Sequence, residues 1–249
     1  MTEFGKRFSD TVAKLMRAID CEHQSNNRAA ALMSQTIAED KLIHVIGTGG
    51  HSNIGTYEIF MRAGSLVPVN GILDPGTLVS MGALRSTRIE RTPGYSAAVL
   101  DSFDVKDGVL VIINAYGINS LTIDTALEGR KRGISTIGVT SPEFGDRVAP
   151  DHPARHPSGQ NLYQIVDVFV NCHMPYGDAV IEFQGMPQKV APVSTVVLAY
   201  TLNLMVIETV RLLLERGLEP PVWVSANLPG GDEMNRKHIQ KYKGRIRLM

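Results

Sequence analysis

Two cysteines in 249 residues, Cys21 and Cys172, leave no disulfide framework and no CxxC pair, a pattern that suits a reducing compartment. Charge of one sign is also missing, because 25 basic residues stand against 25 acidic ones. The chain as a whole therefore carries no basic footprint for nucleic acid, and the short basic stretch Lys237–Arg247 reads as a solvated helix end. The opening residues MTEFGKRFSD hold no apolar core of the secretory kind. The longest apolar run, Val193–Ile207, is broken by Ser194, Thr195 and Asn203 and falls short of the ~20 residues that span a membrane. The expectation is a soluble cytoplasmic protein that binds neither nucleic acid nor membrane. With 43% hydrophobic and 20% charged residues, the composition fits one large α/β domain with its own core.

What is there is organised around KLIHVIGTGGHSNIGTYEIFMRAG, residues 41–64. Lys41–Ile46 is a short apolar, β-branched run of the kind a buried parallel strand shows. It stops at Gly47-Thr48-Gly49-Gly50-His51-Ser52, and a helical pattern follows with Ile54, Tyr57, Phe60 and Met61 on one face. Strand, glycine turn, helix is how α/β proteins build an anion site from close backbone approach and free N–H groups. The glycine spacing matches neither the dinucleotide fingerprint nor the ATP P-loop. A tight βα connection with no ligand is the plainer alternative.

The pattern repeats. Val109–Ile113 is a second apolar strand, followed by the turn Asn114–Ser120 and a helix over Leu121–Arg132 that ends at Gly133. Ser135–Val139 and Val166–Val170 are further parallel strands, and Leu66–Leu73 is one more candidate. A doubly wound five-stranded parallel sheet flanked by helices results, preceded by a helical extension over residues 1–40 that packs on the domain or on a second subunit. The domain proper is expected over 41–249, with a broadly apolar helix from Ser194 to about Arg216, a C-terminal helix and a polar tail. Ligands in such sheets sit beyond the carboxyl ends of the strands, so the turns at 47–52, 114–120 and 140–141 should line one crevice. Arg85, Arg88 and Arg91 read as a solvated face within an irregular stretch, Asp74–Tyr95. The long segment Glu143–Gln164 has no core pattern and holds His152 and His156, too few ligands for a metal site.

Several stretches together resemble the SIS (sugar isomerase) domain family, and within it the bacterial single-domain group described only as sugar isomerase domain-containing. They are the 47–52 turn with Glu58 and Arg62, Val67–Asn70, Asn114–Ser120, Arg155–Gly159, Pro175–Asp178, Gln188–Thr195, and Ser225–Asn227 before Gly230-Gly231-Asp232. The resemblance implies a homodimer or higher homo-oligomer that binds a phosphorylated or otherwise acidic monosaccharide. It implies aldose–ketose isomerisation through an enediol, with an etherase-like lyase and a non-catalytic sugar-phosphate-binding regulator as alternatives. The family's hydroxyl-rich anion loop after the third strand is here Asn114-Ala115-Tyr116-Gly117-Ile118-Asn119, with Ser120 one step later. A sulfonated or unphosphorylated sugar thereby becomes an alternative substrate. Where related enzymes carry Glu before the last long helix, this chain has Lys189.

Moving a carbonyl between neighbouring carbons needs a base, a proton donor for the developing oxyanion and an anchor for the substrate. The expected catalytic groups are Glu58 as base, His51 and His173 as competing acids, and Lys189 holding an anion or polarising a carbonyl. Glu182 and Asp178 are second-choice carboxylates. Substrate contacts are expected from Gly47, Thr48, Gly49, Ser52, Arg62, Asn114, Tyr116, Gly117, Asn119, Ser120, Asp178, Ser194 and Thr195. Isomerisation and elimination need no redox cofactor, and no metal-ligand set assembles in the sequence.

Overall fold

The computed structural model describes all 249 residues. Two helices come first, α1 (Glu3–Asp20) and α2 (His23–Ala38), broken at Cys21-Glu22. The strands β1 (Ile43–Gly47), β2 (Val69–Ile72), β3 (Val109–Ile113), β4 (Ser135–Thr140) and β5 (Val168–Asn171) then alternate with helices α3 (Asn53–Ile59), α4 (Ala83–Glu90), α5 (Tyr95–Ser102), α6 (Ser120–Lys131), α7 (Pro142–Gly145) and α8 (Leu162–Ile165). A hairpin of β6 (Ala179–Ile181) and β7 (Val190–Pro192) leads to the long helix α9 (Ser194–Glu215), and α10 (Gly231–Tyr242) closes the chain.

The five main strands form one parallel sheet in the order β2-β1-β3-β4-β5. Residues of β1, β2 and β3 are all buried, and in β3 this gives a continuous apolar run rather than an alternating one, while β1 and β2 bury His44 and Asn70 against each other. Alternate residues of β1 and β3 feed two cores, one on each face of the sheet. Val45, Val111, Ile113 and Val139 pack with Met33 of α2 and with Val197, Leu202 and Met205 of α9. Ile46, Leu110 and Ile112 pack against Leu100 of α5, Ile123 of α6 and Leu162 of α8. Of residues 1–40, α2 lies on the sheet with Ala29 and Met33 in the larger core, whereas α1 packs on α9 and the β6–β7 hairpin and adds Ile19 to that core.

Two expectations need correction, and one element is new. The new element is the hairpin, in which β6 pairs only with β7, antiparallel, apart from the main sheet. Asp74–Tyr95 is not irregular throughout, since it contains α4 and a 3₁₀ turn at Val79–Met81. Segment 143–164 carries α7 and α8 and is tied down by Arg155, whose guanidinium donates to the Val148 carbonyl at 3.0 Å and to Asn161 Oδ1 at 2.8 Å. The helix α9 is long and apolar enough by composition to cross a membrane. Here it packs against α2 and α3, burying Val197, Leu198, Thr201, Leu202, Met205, Val206, Thr209 and Leu213. The sides turned to α2 and α3 are covered, while Ile207 and Leu214 stay exposed, so burial within the chain accounts for only part of its apolar breadth.

Candidate functional site

The chain runs from β1 out to β2 on one side and then crosses back to β3 on the other, so the sheet has its switch point between the ends of β1 and β3. A crevice of about 320 Å³ opens there. Its floor is the glycine turn after β1, and the geometry shows why glycine is required. A Cβ on Gly47 would lie 2.3 Å from the backbone of Ser52, and one on Gly50 would lie 2.6 Å from Val79. The turn therefore folds tightly on itself and under the segment leading into α4. Thr48 is fully buried, its hydroxyl 2.7 Å from that of Thr122 on α6, and this pair staples the first turn to the second.

The second wall is the β3–α6 turn. The Asn114 Oδ1 accepts the backbone N–H groups of Tyr116 at 3.1 Å and Gly117 at 3.0 Å. A side chain thus takes two donors of the turn that a hydroxyl-rich loop would offer to a ligand. The Asn119 side chain makes no cap to α6 and donates instead to the Ala154 carbonyl at 3.0 Å, leaving the first-turn N–H groups of α6 without a side-chain acceptor from it. Burial raises the Tyr116 phenol above its ordinary pKa, with Asp178 and Glu90 adding in the same direction.

The third wall is the start of α9. Asp178 accepts the N–H groups of Val193 at 2.9 Å and Ser194 at 2.7 Å, and the Ser194 hydroxyl at 2.8 Å. Its carboxylate is committed to the helix start, where negative charge is favoured by the unpaired amides.

Of the residues proposed from sequence, the crevice brings together Gly49, His51, Ser52, Asn114, Tyr116, Asn119, Asp178, Ser194 and Thr195. Gly47, Thr48, Gly117 and Ser120 are not lining residues; they shape the turns from beneath, Gly117 with φ +66° close against Thr140. Four others lie elsewhere. Glu58 sits on the flank of α3, accepting from Asn203 of α9 at 2.9 Å and pairing with Arg62 at 3.4 Å. The expected helical face does not reach Arg62, because α3 ends at Ile59 and the chain turns at Met61 with φ +50°, so this pair ties the helix to the segment after it. The His173 ring is 2.8 Å from Glu22 at the α1–α2 junction. Lys189 pairs with Glu182 at 2.7 Å across the exposed hairpin. His152 and His156 also part, the first accepting the Ala154 N–H at 3.1 Å and the second facing Asp124 at 3.1 Å.

One lining residue went unread in the sequence. Glu90, in the last turn of α4, lies in the crevice with Ser86 and Thr87. Its Oε2 stands 2.6 Å from the position a Gly49 Cβ would take, and its carboxylate meets the Gly50 N–H. Burial raises its pKa, against weaker lowering by Arg91 and by that amide. No Lys or Arg side chain lines the crevice, leaving His51 as its one basic side chain.

Comparison with known proteins agrees with this architecture. The pattern that defines the SIS domain matches residues 7–141. A "UPF0309 protein" from Geobacillus thermodenitrificans is 37% identical over 92% of this chain and 91% of its own length. Another from Halalkalibacterium halodurans is 37% identical over 89% and 87%. Among solved structures, a phosphoheptose isomerase from Francisella tularensis superposes with a TM-score of 0.50 at 13% identity, covering 82% of this chain and 98% of that one. At that identity the likeness speaks for the fold.

Proposed function

We propose, from the premise that the chain belongs to the SIS domain family, that its crevice binds an acidic monosaccharide and interconverts the aldose and ketose forms through an enediol. The observation that carries the reading is the lining itself. The glycine turn, Asn119 just ahead of α6, His51 and a half-buried carboxylate line one crevice at the switch point of the sheet. Helix starts without side-chain acceptors can hold a phosphate or sulfonate through backbone N–H groups alone. His51 is exposed to the crevice and placed to donate to a developing enediolate oxygen. A neutral sugar is the second reading, favoured by the lack of Lys and Arg in the lining.

The same reading includes a homodimer. Ile54, Tyr57 and Met61 on α3 and its end, with Ile207 and Leu214 on α9, expose apolar side chains on adjacent packed helices. We place the second copy on that face, because several large apolar side chains sharing one surface are unusual on a free monomer.

The test is a thermal-shift screen of phosphorylated, sulfonated and neutral ketoses, followed by proton NMR of each hit in D₂O. A ligand that binds only the folded chain raises its Tm by mass action. Deuterium entering C1 or C2 establishes the isomerase. Binding without exchange leaves a non-catalytic sugar-binding protein, and a response confined to neutral sugars selects the second reading.

A further inference from the structure

Four carboxylates compete for the role of base, and their surroundings separate them. Glu182 is on the exposed hairpin and paired with Lys189. Glu58 is outside the crevice and occupied by Asn203 and Arg62. Asp178 is inside, but accepts three hydrogen bonds from the start of α9, and moving it would unseat that helix. Glu90 is inside and forms no ion pair, and its neighbour is the glycine turn that lets backbone approach a ligand closely. From this geometry we propose that Glu90 is the catalytic base of the crevice, working opposite His51 as the proton donor. This assignment rests on the isomerase reading above.

The step balances without a co-reactant. Glu90 removes the proton from the carbon next to the carbonyl, and the C–H electron pair becomes the enediolate double bond. The carbonyl oxygen takes a proton from His51. On the return, the neighbouring hydroxyl gives its proton back to His51 as the new carbonyl forms, and Glu90 delivers its proton to the other carbon. Nothing is oxidised overall. The raised pKa of Glu90 suits this role, since a base that must also return its proton works best when its pKa approaches the working pH. The groups that face or adjoin it are Arg91 from its own helix end, His51 and the Gly50 amide from the β1 turn, Tyr116 from the β3 turn, and Asp178 from across the crevice.

The experiment uses the full chain with D-sedoheptulose 7-phosphate, D-fructose 6-phosphate and D-ribulose 5-phosphate as probes in D₂O. Wild type should exchange deuterium into at least one. Glu90→Gln, which keeps the shape of the side chain, should lower that exchange by about 10²–10⁴-fold while the same probe still raises its Tm. Glu90→Asp should exchange more slowly than wild type but retain the acid limb of the pH–rate profile, which wild type places above the ordinary carboxylate range and Glu90→Gln lacks. Glu58→Gln should exchange at the wild-type rate. Exchange by Glu90→Gln within tenfold of wild type overturns the assignment and leaves the isomerase reading standing. Wild type that binds a probe without exchange overturns both.

Discussion

His44 shows how much one buried side chain can tie the fold to pH. It lies in β1, 1% exposed, with Nδ1 3.1 Å from the Asn70 amide nitrogen and no partner for Nε2. Burial pulls its pKa down to about 4, against weaker opposing effects of Asp107 and Asp104. Above the ordinary histidine value of 6.5 both folded and unfolded chains hold it neutral, so it makes no pH-dependent contribution there. Below 6.5 the unfolded chain gains a proton that the folded chain refuses, and stability falls until pH reaches about 4. The loss across that window should total about 3 kcal/mol, at about 1.4 kcal/mol per pH unit. Urea unfolding of wild type and His44→Leu at pH 7.5, 5.5 and 4.5 should show their difference in stability moving in favour of the variant by that order. A constant difference would mean that His44 is protonated in the fold.

At the same scale, the sequence concealed Glu90 for a reason that can be stated. It stands among Arg85, Arg88 and Arg91, a spacing that reads as one solvated cationic face. Once α4 forms, Ser86 and Glu90 fall four residues apart on the side that turns to the crevice, while Arg85 and Arg88 stay exposed. Glu58 misled in the opposite way. Its place in the helix after the glycine turn suggested proximity to a ligand, yet the packing of α3 on α9 aims it at Asn203.

Among the elements, strands were the most legible. Val109–Ile113 reads from sequence with the same ends it has in the fold, because a strand buried on both faces is a continuous apolar run between turn residues. The hairpin β6–β7 was not, since three-residue strands with mostly part-exposed side chains leave little pattern to read. That hairpin delivers Asp178 to the start of α9, and a prediction follows. Asp178→Ala removes the acceptor for two amides and one hydroxyl there, and should cost about 1–2 kcal/mol of stability. Asp178→Asn should recover part of the loss, because its carbonyl oxygen still accepts and Asn tolerates the positive φ of 67° found at this position. Equilibrium denaturation of the three proteins checks the order. Equal stability for all three would show that α9 does not depend on this contact.

For the molecule as a whole, the two faces of the sheet differ in what covers them. On one side α5, α6 and α8 close over a compact core. On the other, α9 buries one side against the sheet and leaves Ile207 and Leu214 exposed at 58% and 59%, next to Tyr57 at 51%. If a second copy covers this face, Ile207→Asp should shift the chain from dimer toward monomer in light scattering, without loss of secondary structure by circular dichroism. A wild type that is monomeric at micromolar concentration would remove the dimer. Helical periodicity reported that α9 was apolar all round, but not which side meets the sheet, because long-range packing decides that.

The Asn114 carboxamide carries a consequence for how selectivity could change. Tethered by a single side chain to the turn it caps, it acts as a built-in competitor for the Tyr116 and Gly117 N–H groups, at a local concentration that a dissolved ligand does not approach. Any acceptor reaching this wall must therefore settle for the first turn of α6 or displace an occupant that cannot diffuse away. Exchanging that one residue for a shorter one would vacate both donors at once. On the sugar-binding reading proposed above, a crevice tuned to one class of sugar would become receptive to another.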